Sequence, residues 1–184
     1  MTSTATKRIE AKEHYYQAVE AVKNELGIAN PFAVPKIEKI IINAGVGKLF
    51  DNKQRQEIVD YIEKLTGQVP KVVKAKRSIA GFKLRAGEIN GVMVTLRGKK
   101  MLDFILLLVY IALPRTKDFR GVNRNAFDKN YKSYNLGIHN ASIFPQIGFD
   151  STVQFGLQVS FVFKQPTKNN LLLLEKLSFP FAKM

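Results

Sequence analysis

The most regular stretch of the chain is Gln154–Phe163, where Phe155, Leu157, Val159, Phe161 and Phe163 alternate with Gln154, Gly156, Gln158 and Ser160. A period of two predicts a strand with one face packed and the other open. Val92, Val94 and Leu96 alternate in the same way with Met93, Thr95 and Arg97, which predicts a strand from Ile89 or Gly91 to Arg97. Lys36–Asn43 is rich in β-branched residues and closed by Gly45-Val46-Gly47, so it reads as a strand, as does Val69–Lys76. Two further short strands are predicted around Tyr134–Ile138 and Ser142–Ile147.

Helical spacing takes over elsewhere. Tyr15, Val19, Val22 and Leu26 predict a helix over Arg8–Leu26, stopped by Gly27. Ile58, Tyr61, Ile62 and Leu65 share one face of a second helix, with Asp51 as N-cap and Gly67 as stop. Met101–Ala112 is a strongly apolar helix ended at Pro114, and Thr167 is placed to cap a last helix through Leu171, Leu174 and Leu177. Arg115–Ser133 has no period and many basic residues, and is predicted to be a long functional loop.

Helices separate the early strands and the later strands lie close together. That order predicts an α+β fold with helices on one face of a mainly antiparallel sheet. The open face would carry Asn43, Thr95, Gln158 and Ser160. With 184 residues, no internal repeat and no linker, the chain reads as one domain, residues 1–34 being an N-terminal helix and lead-in and 35–184 the main body.

Charge turns this scaffold into a binding surface. Lys and Arg number 29 against 15 acids, a net +14 that points to a polyanionic partner. Between Lys71 and Lys132 fifteen basic residues face only Glu88, Asp103, Asp118 and Asp128, so that third of the chain carries +11. With 46% apolar residues the chain is too hydrophobic for a disordered basic tail. The absence of cysteine excludes disulfides, thiolate zinc sites and a cysteine nucleophile. No apolar stretch follows Met1–Lys7, and the most apolar run, Phe104–Leu113, is about half the length of a bilayer crossing. The expectation is a cytoplasmic protein with no membrane contact.

Several motifs have simpler readings. Gly45-Val46-Gly47-Lys48 lacks the P-loop's first glycine, position 42 being Ile, and Leu49 stands where Ser or Thr is required. Phe50 occupies the third glycine of a dinucleotide fingerprint, so a tight strand-ending turn accounts for these residues better. Ser160-Phe161-Val162-Phe163 faintly echoes an RNA-recognition strand, but its aromatic rings lie on the apolar parity and belong to the core. His14 and His139 have no triad or metal spacing to a carboxylate, and no catalysis, metal or cofactor is expected. In Asp118-Phe119-Arg120-Gly121 the acid shapes the loop while Arg120 is suited to a bidentate phosphate contact. A neutral polar sheet face bordered by basic loops suits nucleic acid.

An ordered set of strings carries a resemblance. Val34-Pro35-Lys36-Ile37-Glu38-Lys39-Ile40, Asn43-Ala44-Gly45-Val46-Gly47 and Thr66-Gly67-Gln68-Val69-Pro70 come first. Residues 75–87 (AKRSIAGFKLRAG), 94–98 (VTLRG), 113–121 (LPRTKDFRG) and Ile143-Phe144-Pro145 follow, with an echo in Phe179-Pro180-Phe181. Together they resemble the large-subunit ribosomal protein five family, the 5S rRNA-binding L-five proteins, over about Val34–Phe149.

The resemblance implies an α+β fold with a five-stranded antiparallel sheet, helices on one side and long basic loops. It implies a structural, non-enzymatic protein in the central protuberance of the large ribosomal subunit, bound to 5S rRNA and large-subunit rRNA. It assigns Asn43, Gln68 and Thr95 to the 5S rRNA contact, and we add Lys39 and Arg97 as candidates. The loop with Arg77, Ser78, Gly81, Phe82, Lys83 and Arg85 is implied to reach the P-site tRNA. Lys74, Lys76, Arg115 and Arg120 are candidates for other RNA contacts. A bridge to the small-subunit head protein S-thirteen is assigned only to the exposed side of the later loops, and an organellar ribosome is as compatible as a bacterial one. The chain departs from the family pattern at Phe127–Tyr134, which lacks two glycines and an arginine, and at Ile138-His139-Asn140. The rival readings are a free-standing RNA-binding chaperone or regulator and, more distantly, a phosphate-handling enzyme.

Overall fold

The alternating stretches become strands in the computed structural model, which describes residues 4–47, 51–82, 84–147 and 153–182. In chain order the elements are α1 (Thr4–Glu25), β1 (Ile37–Gly45), α2 (Asn52–Thr66), β2 (Lys71–Lys74), β3 (Ile89–Leu96), α3 (Gly98–Leu106), β4 (Ser133–Ile138), β5 (Leu157–Phe163) and α4 (Asn170–Lys176). The strands form one five-stranded antiparallel sheet in the order β2-β3-β1-β5-β4, and the fold is α+β.

Four of the five strands bury one parity, while the short edge strand β2 buries no residue. Ile40, Ile42 and Ala44 on β1, Val92, Val94 and Leu96 on β3, and Val159, Phe161 and Phe163 on β5 are buried. On the other parity Asn43 and Gln158 are exposed, and Thr95 and Ser160 are half-buried. Phe155, Phe161 and Phe163 are core residues, as their parity predicts.

The chain divides into two compact units, neither continuous in sequence: Met1–Ile40 with Arg97–Leu136 and Ser160–Met184, and Ile41–Leu96 with Gly137–Val159. In the first, α1 packs against α3 and α4. The buried Tyr15 hydroxyl accepts the Ile37 N–H at 2.9 Å, and burial pushes this phenol up to about 12. Past Leu106 the apolar helix widens into a π-turn, Leu107–Ala112, and then tightens into a 3₁₀ turn, Leu113–Arg115. The helix thus runs out at Pro114 as the sequence pattern predicts, its last turns changing pitch before the chain becomes extended at Thr116. Thr167 does not cap α4, which starts after Asn169. The fully buried Asn170 carboxamide explains this offset, since it donates to the carbonyls of Tyr131 (2.7 Å) and Gln165 (2.8 Å) and accepts from the Thr167 hydroxyl.

In the second unit Asp51 is the N-cap of α2, and Gln54 reaches back to accept its N–H at 3.0 Å. Gly67 ends the helix in the left-handed region, and α2 packs on β3. Two expectations are corrected here. β2 keeps only Lys71–Lys74 of Val69–Lys76: before it Pro70 cannot donate to a ladder, and at its other end the register shifts between Val73 and Lys74. Ser142–Ile147 is not a strand but two 3₁₀ turns, Ala141–Ile143 and Pro145–Ile147. Asn140 starts the first by accepting the Ser142 N–H at 3.0 Å, and Pro145 has no N–H for strand pairing.

Candidate nucleic-acid interface

The second unit contains Asn43, Gln68 and Thr95. Asn43 and Thr95 lie on adjacent strands, on the open parity of β1 and β3. The Asn43 amide extends across Gly91, where an added Cβ would stand 4.0 Å from its Oδ1. Gln68 follows the C-cap of α2 and its Nε2 donates to the Thr95 carbonyl at 3.4 Å. β2 starts only at Lys71, opposite Met93, so beyond it this amide stands in for a strand partner. The buried Thr66 hydroxyl donates to Ile62 O (2.8 Å) and Gln68 O (3.1 Å), which fixes the turn that carries Gln68. Neither the Asn43 amide nor the Thr95 hydroxyl is engaged by another described residue, so both are available to a ligand.

The basic loop after β2 is itself structured. Ala75 N–H donates to Glu88 O and Gly87 N–H to Ala75 O, both at 2.9 Å, closing the root. Ile79 and Leu84 form an antiparallel bridge, and Ala80–Phe82 is a 3₁₀ turn at the tip. Ser78 shapes the loop from within, its Oγ accepting the Ala86 N–H at 3.0 Å. Lys74, Lys76, Arg77, Gly81 and Arg85 are exposed. Lys83 lies outside the described residues, and so does Lys48 of the glycine-turn motif.

In the first unit Lys39 is half-buried on β1, and the exposed Arg97 is the N-cap residue of α3. Arg115 ends the 3₁₀ turn and Arg120 lies in the long loop, both exposed. The predicted absence of helix and strand through this loop holds, yet the loop is tightly held. Val122 N–H donates to Pro180 O at 2.8 Å and Ala182 N–H to Val122 O at 3.0 Å, so the Phe179-Pro180-Phe181 echo is the strap that fastens it. Gly121 has φ +98°, and a Cβ there would overlap the backbone of Phe181 and Ala182. Arg124 pairs with Glu175 at 2.7 Å and lies over the Phe181 ring. The Tyr134 hydroxyl donates to Asn123 O at 2.8 Å, and burial pushes this phenol up to about 12.

Arg55 is a buried charge that the sequence pattern does not disclose. On a helix read only for its apolar face it looks like a solvated charge, yet it is 6% exposed. Its Nη2 donates to Gly47 O at 3.2 Å and its Nη1 to Glu88 Oε2 at 3.4 Å. Glu88 also accepts the Arg85 N–H at 3.2 Å, and that bond first, then Arg55, holds its carboxyl below the usual range against the opposing effect of burial. His14 has a structural partner as well, its Nε2 lying 2.8 Å from the Tyr110 hydroxyl. Among the described residues no group of three or more His, Cys, Asp and Glu is placed to hold a metal ion, and no helix is long and apolar enough to cross a membrane.

A polar strand face and ordered basic loops on an α+β scaffold are features of RNA-associated proteins, and comparison with known proteins places the chain among ribosomal proteins. The family described as ribosomal protein L5 matches residues 30–85, and the one describing the C-terminus of that ribosomal family matches 89–181. The large ribosomal subunit protein uL5 of Sulfurimonas denitrificans is 45% identical over 175 residues, covering 94% of this chain and 96% of the relative. That of Mesoplasma florum is 45% identical over 179 residues (96% and 98%), and that of Pelagibacter ubique 44% over 176 (94% and 95%). The chain belongs to the ribosomal L5 family.

Proposed function

We propose that this protein is a structural constituent of the large ribosomal subunit that binds 5S rRNA and helps attach it in the central protuberance. The observation that carries the reading is the Asn43 amide and Thr95 hydroxyl, on the open parity of adjacent strands and not engaged by another described residue. Small uncharged donors and acceptors fixed by a strand ladder recognise a preformed RNA shape, through sugars, phosphates and base edges. Gln68 adds a third such group, while Lys39 and Arg97 contribute counterion release. Lys74, Lys76, Arg115 and Arg120 reach further rRNA phosphates.

The 77–85 loop is assigned to the P-site tRNA. Its internal bridge and 3₁₀ tip support this, because an ordered cationic projection loses less entropy on meeting a phosphate backbone than a floppy one. The exposed side of the later loops is assigned to the small-subunit head protein S-thirteen. No step in these roles makes or breaks a covalent bond.

Titration of 5S rRNA with the purified protein tests the reading. Neutralising about six phosphates lowers affinity roughly a thousandfold between about 50 and 200 mM salt. The expected result is that slope together with preference for 5S rRNA over an unrelated structured RNA of equal length. Equal affinity for both RNAs, or binding indifferent to salt, would contradict it.

A further inference from the structure

The root of the basic loop and the turn after β1 share one buried clamp. Residue pairing between β2 and β3 runs Val72 to Val92 and Val73 to Gly91 and then jumps to Lys74 with Ile89, which leaves Asn90 as an extra, bulged residue. Its carbonyl accepts the Val46 N–H at 3.1 Å, and a Cβ on Gly47 would come within 2.9 Å of its Oδ1. Arg55 then joins the two sides, one nitrogen on the Gly47 carbonyl and another on Glu88, whose carboxylate also receives Arg85 N–H. A bulge re-aims the chain that leaves it, and here a guanidinium, planar and with several donors, sets the direction.

We propose that Arg55 is a positioning residue, which locks the loop root to the turn following Asn43 so that the sheet-face groups and the cationic loop are presented to RNA in one fixed relation. The proposal rests on the RNA-binding reading above. Arg55 is too buried to release a counterion itself, so its influence on 5S affinity runs through the turn it holds after Asn43 rather than through the loop cations.

The test combines amide hydrogen exchange of the full chain with salt-resolved titration of 5S rRNA, for the wild type, Arg55→Met, Arg55→Lys and Glu88→Ala. Met fills the space without a donor, and Glu88, which is partly exposed, regains water. The expected result for Arg55→Met is exchange faster by about tenfold or more at Ala75 and Gly87, with β5 amides unchanged. Affinity is expected to fall about tenfold with an unaltered salt slope, and Arg55→Lys to recover part of both because one donor still reaches. Glu88→Ala loosens the same root without emptying the space around Arg55, and it decides the matter should Arg55→Met fail to fold.

Unchanged exchange at Ala75 and Gly87 in the folded variants would overturn the clamp. A shallower salt slope would overturn it in another way, by showing that Arg55 meets phosphate directly. The exchange arm needs no RNA, so a wild-type chain that ignored 5S rRNA, with the exchange change still present in the variants, would contradict the RNA-binding reading and leave the clamp standing.

Discussion

Asn43 and Thr95 on the strand face and the loop at 75–88 belong to the same compact unit and present opposite chemistries. The strand face offers an amide and a hydroxyl with no net charge, carried on adjacent strands of the sheet. The loop offers cations on a projection held by its root, one bridge and the Ser78 brace. Uncharged groups on a rigid frame discriminate shape and respond little to salt, whereas cations on a projection attract any phosphate and weaken as salt rises. Most of the +11 between Lys71 and Lys132 is thus carried by residues other than those assigned to shape recognition.

Removing the sheet-face pair is expected to have the largest effect. Asn43→Ala with Thr95→Ala deletes two side-chain hydrogen bonds to RNA, each worth about 1–1.5 kcal/mol, so 5S rRNA affinity falls roughly thirtyfold to a hundredfold. Neither side chain bonds another described residue, and thermal unfolding should show an unchanged midpoint. The loop pair Lys83→Ala with Arg85→Ala should leave 5S affinity within about threefold while weakening P-site tRNA binding to assembled ribosomes about tenfold, as filter binding would show.

Tyr134→Phe addresses the other basic loop. It leaves the Asn123 carbonyl without its donor and is expected to cost about 1 kcal/mol, a fall of a few degrees in unfolding midpoint, with 5S affinity intact. Lowering the pH has the smallest and most local effect. Glu88 is held below its ordinary value of 4.5 by the Arg85 N–H and then by Arg55, so its contribution to the loop root is fully present above that value. It is lost as pH falls through the lower folded-state value. Amide exchange at Ala75 and Gly87, corrected for intrinsic rates, should thus be flat from about pH 8 to about pH 5 and rise only in more acidic solution.

Elements built from local periodicity were legible before any coordinates. The alternation of Leu157–Phe163 and the Asp51 and Gly67 boundaries of α2 need only near neighbours to be recognised. What escaped depends on distant partners. Ser142–Ile147 is the exception, since it reads as strand from its apolar residues while the nearby Asn140 and Pro145 turn it the other way. The π-turn at Leu107–Ala112 has no signature beyond Pro114, and the strap of the long loop joins Val122 to residues near the chain's end. Within the candidate interface, parity alone put Asn43 and Thr95 on the open face, whereas their assignment to 5S rRNA, and that of Gln68, came from family resemblance. Arg55 left no trace, because burial of a helical arginine is set by Gly47 and Glu88, which converge on it only in the fold.

The central claim is that sheet-face groups, not the cationic loop, hold 5S rRNA. Salt-resolved titration of 5S rRNA with the wild type, the Asn43→Ala/Thr95→Ala pair and the Lys83→Ala/Arg85→Ala pair tests it most directly. The account predicts that on a plot of log affinity against log salt the sheet pair gives a line parallel to wild type and lower by about 1.5–2 log units, and that the loop pair nearly superimposes on wild type. A sheet pair that superimposes on wild type, with a loop pair that abolishes binding, would contradict it.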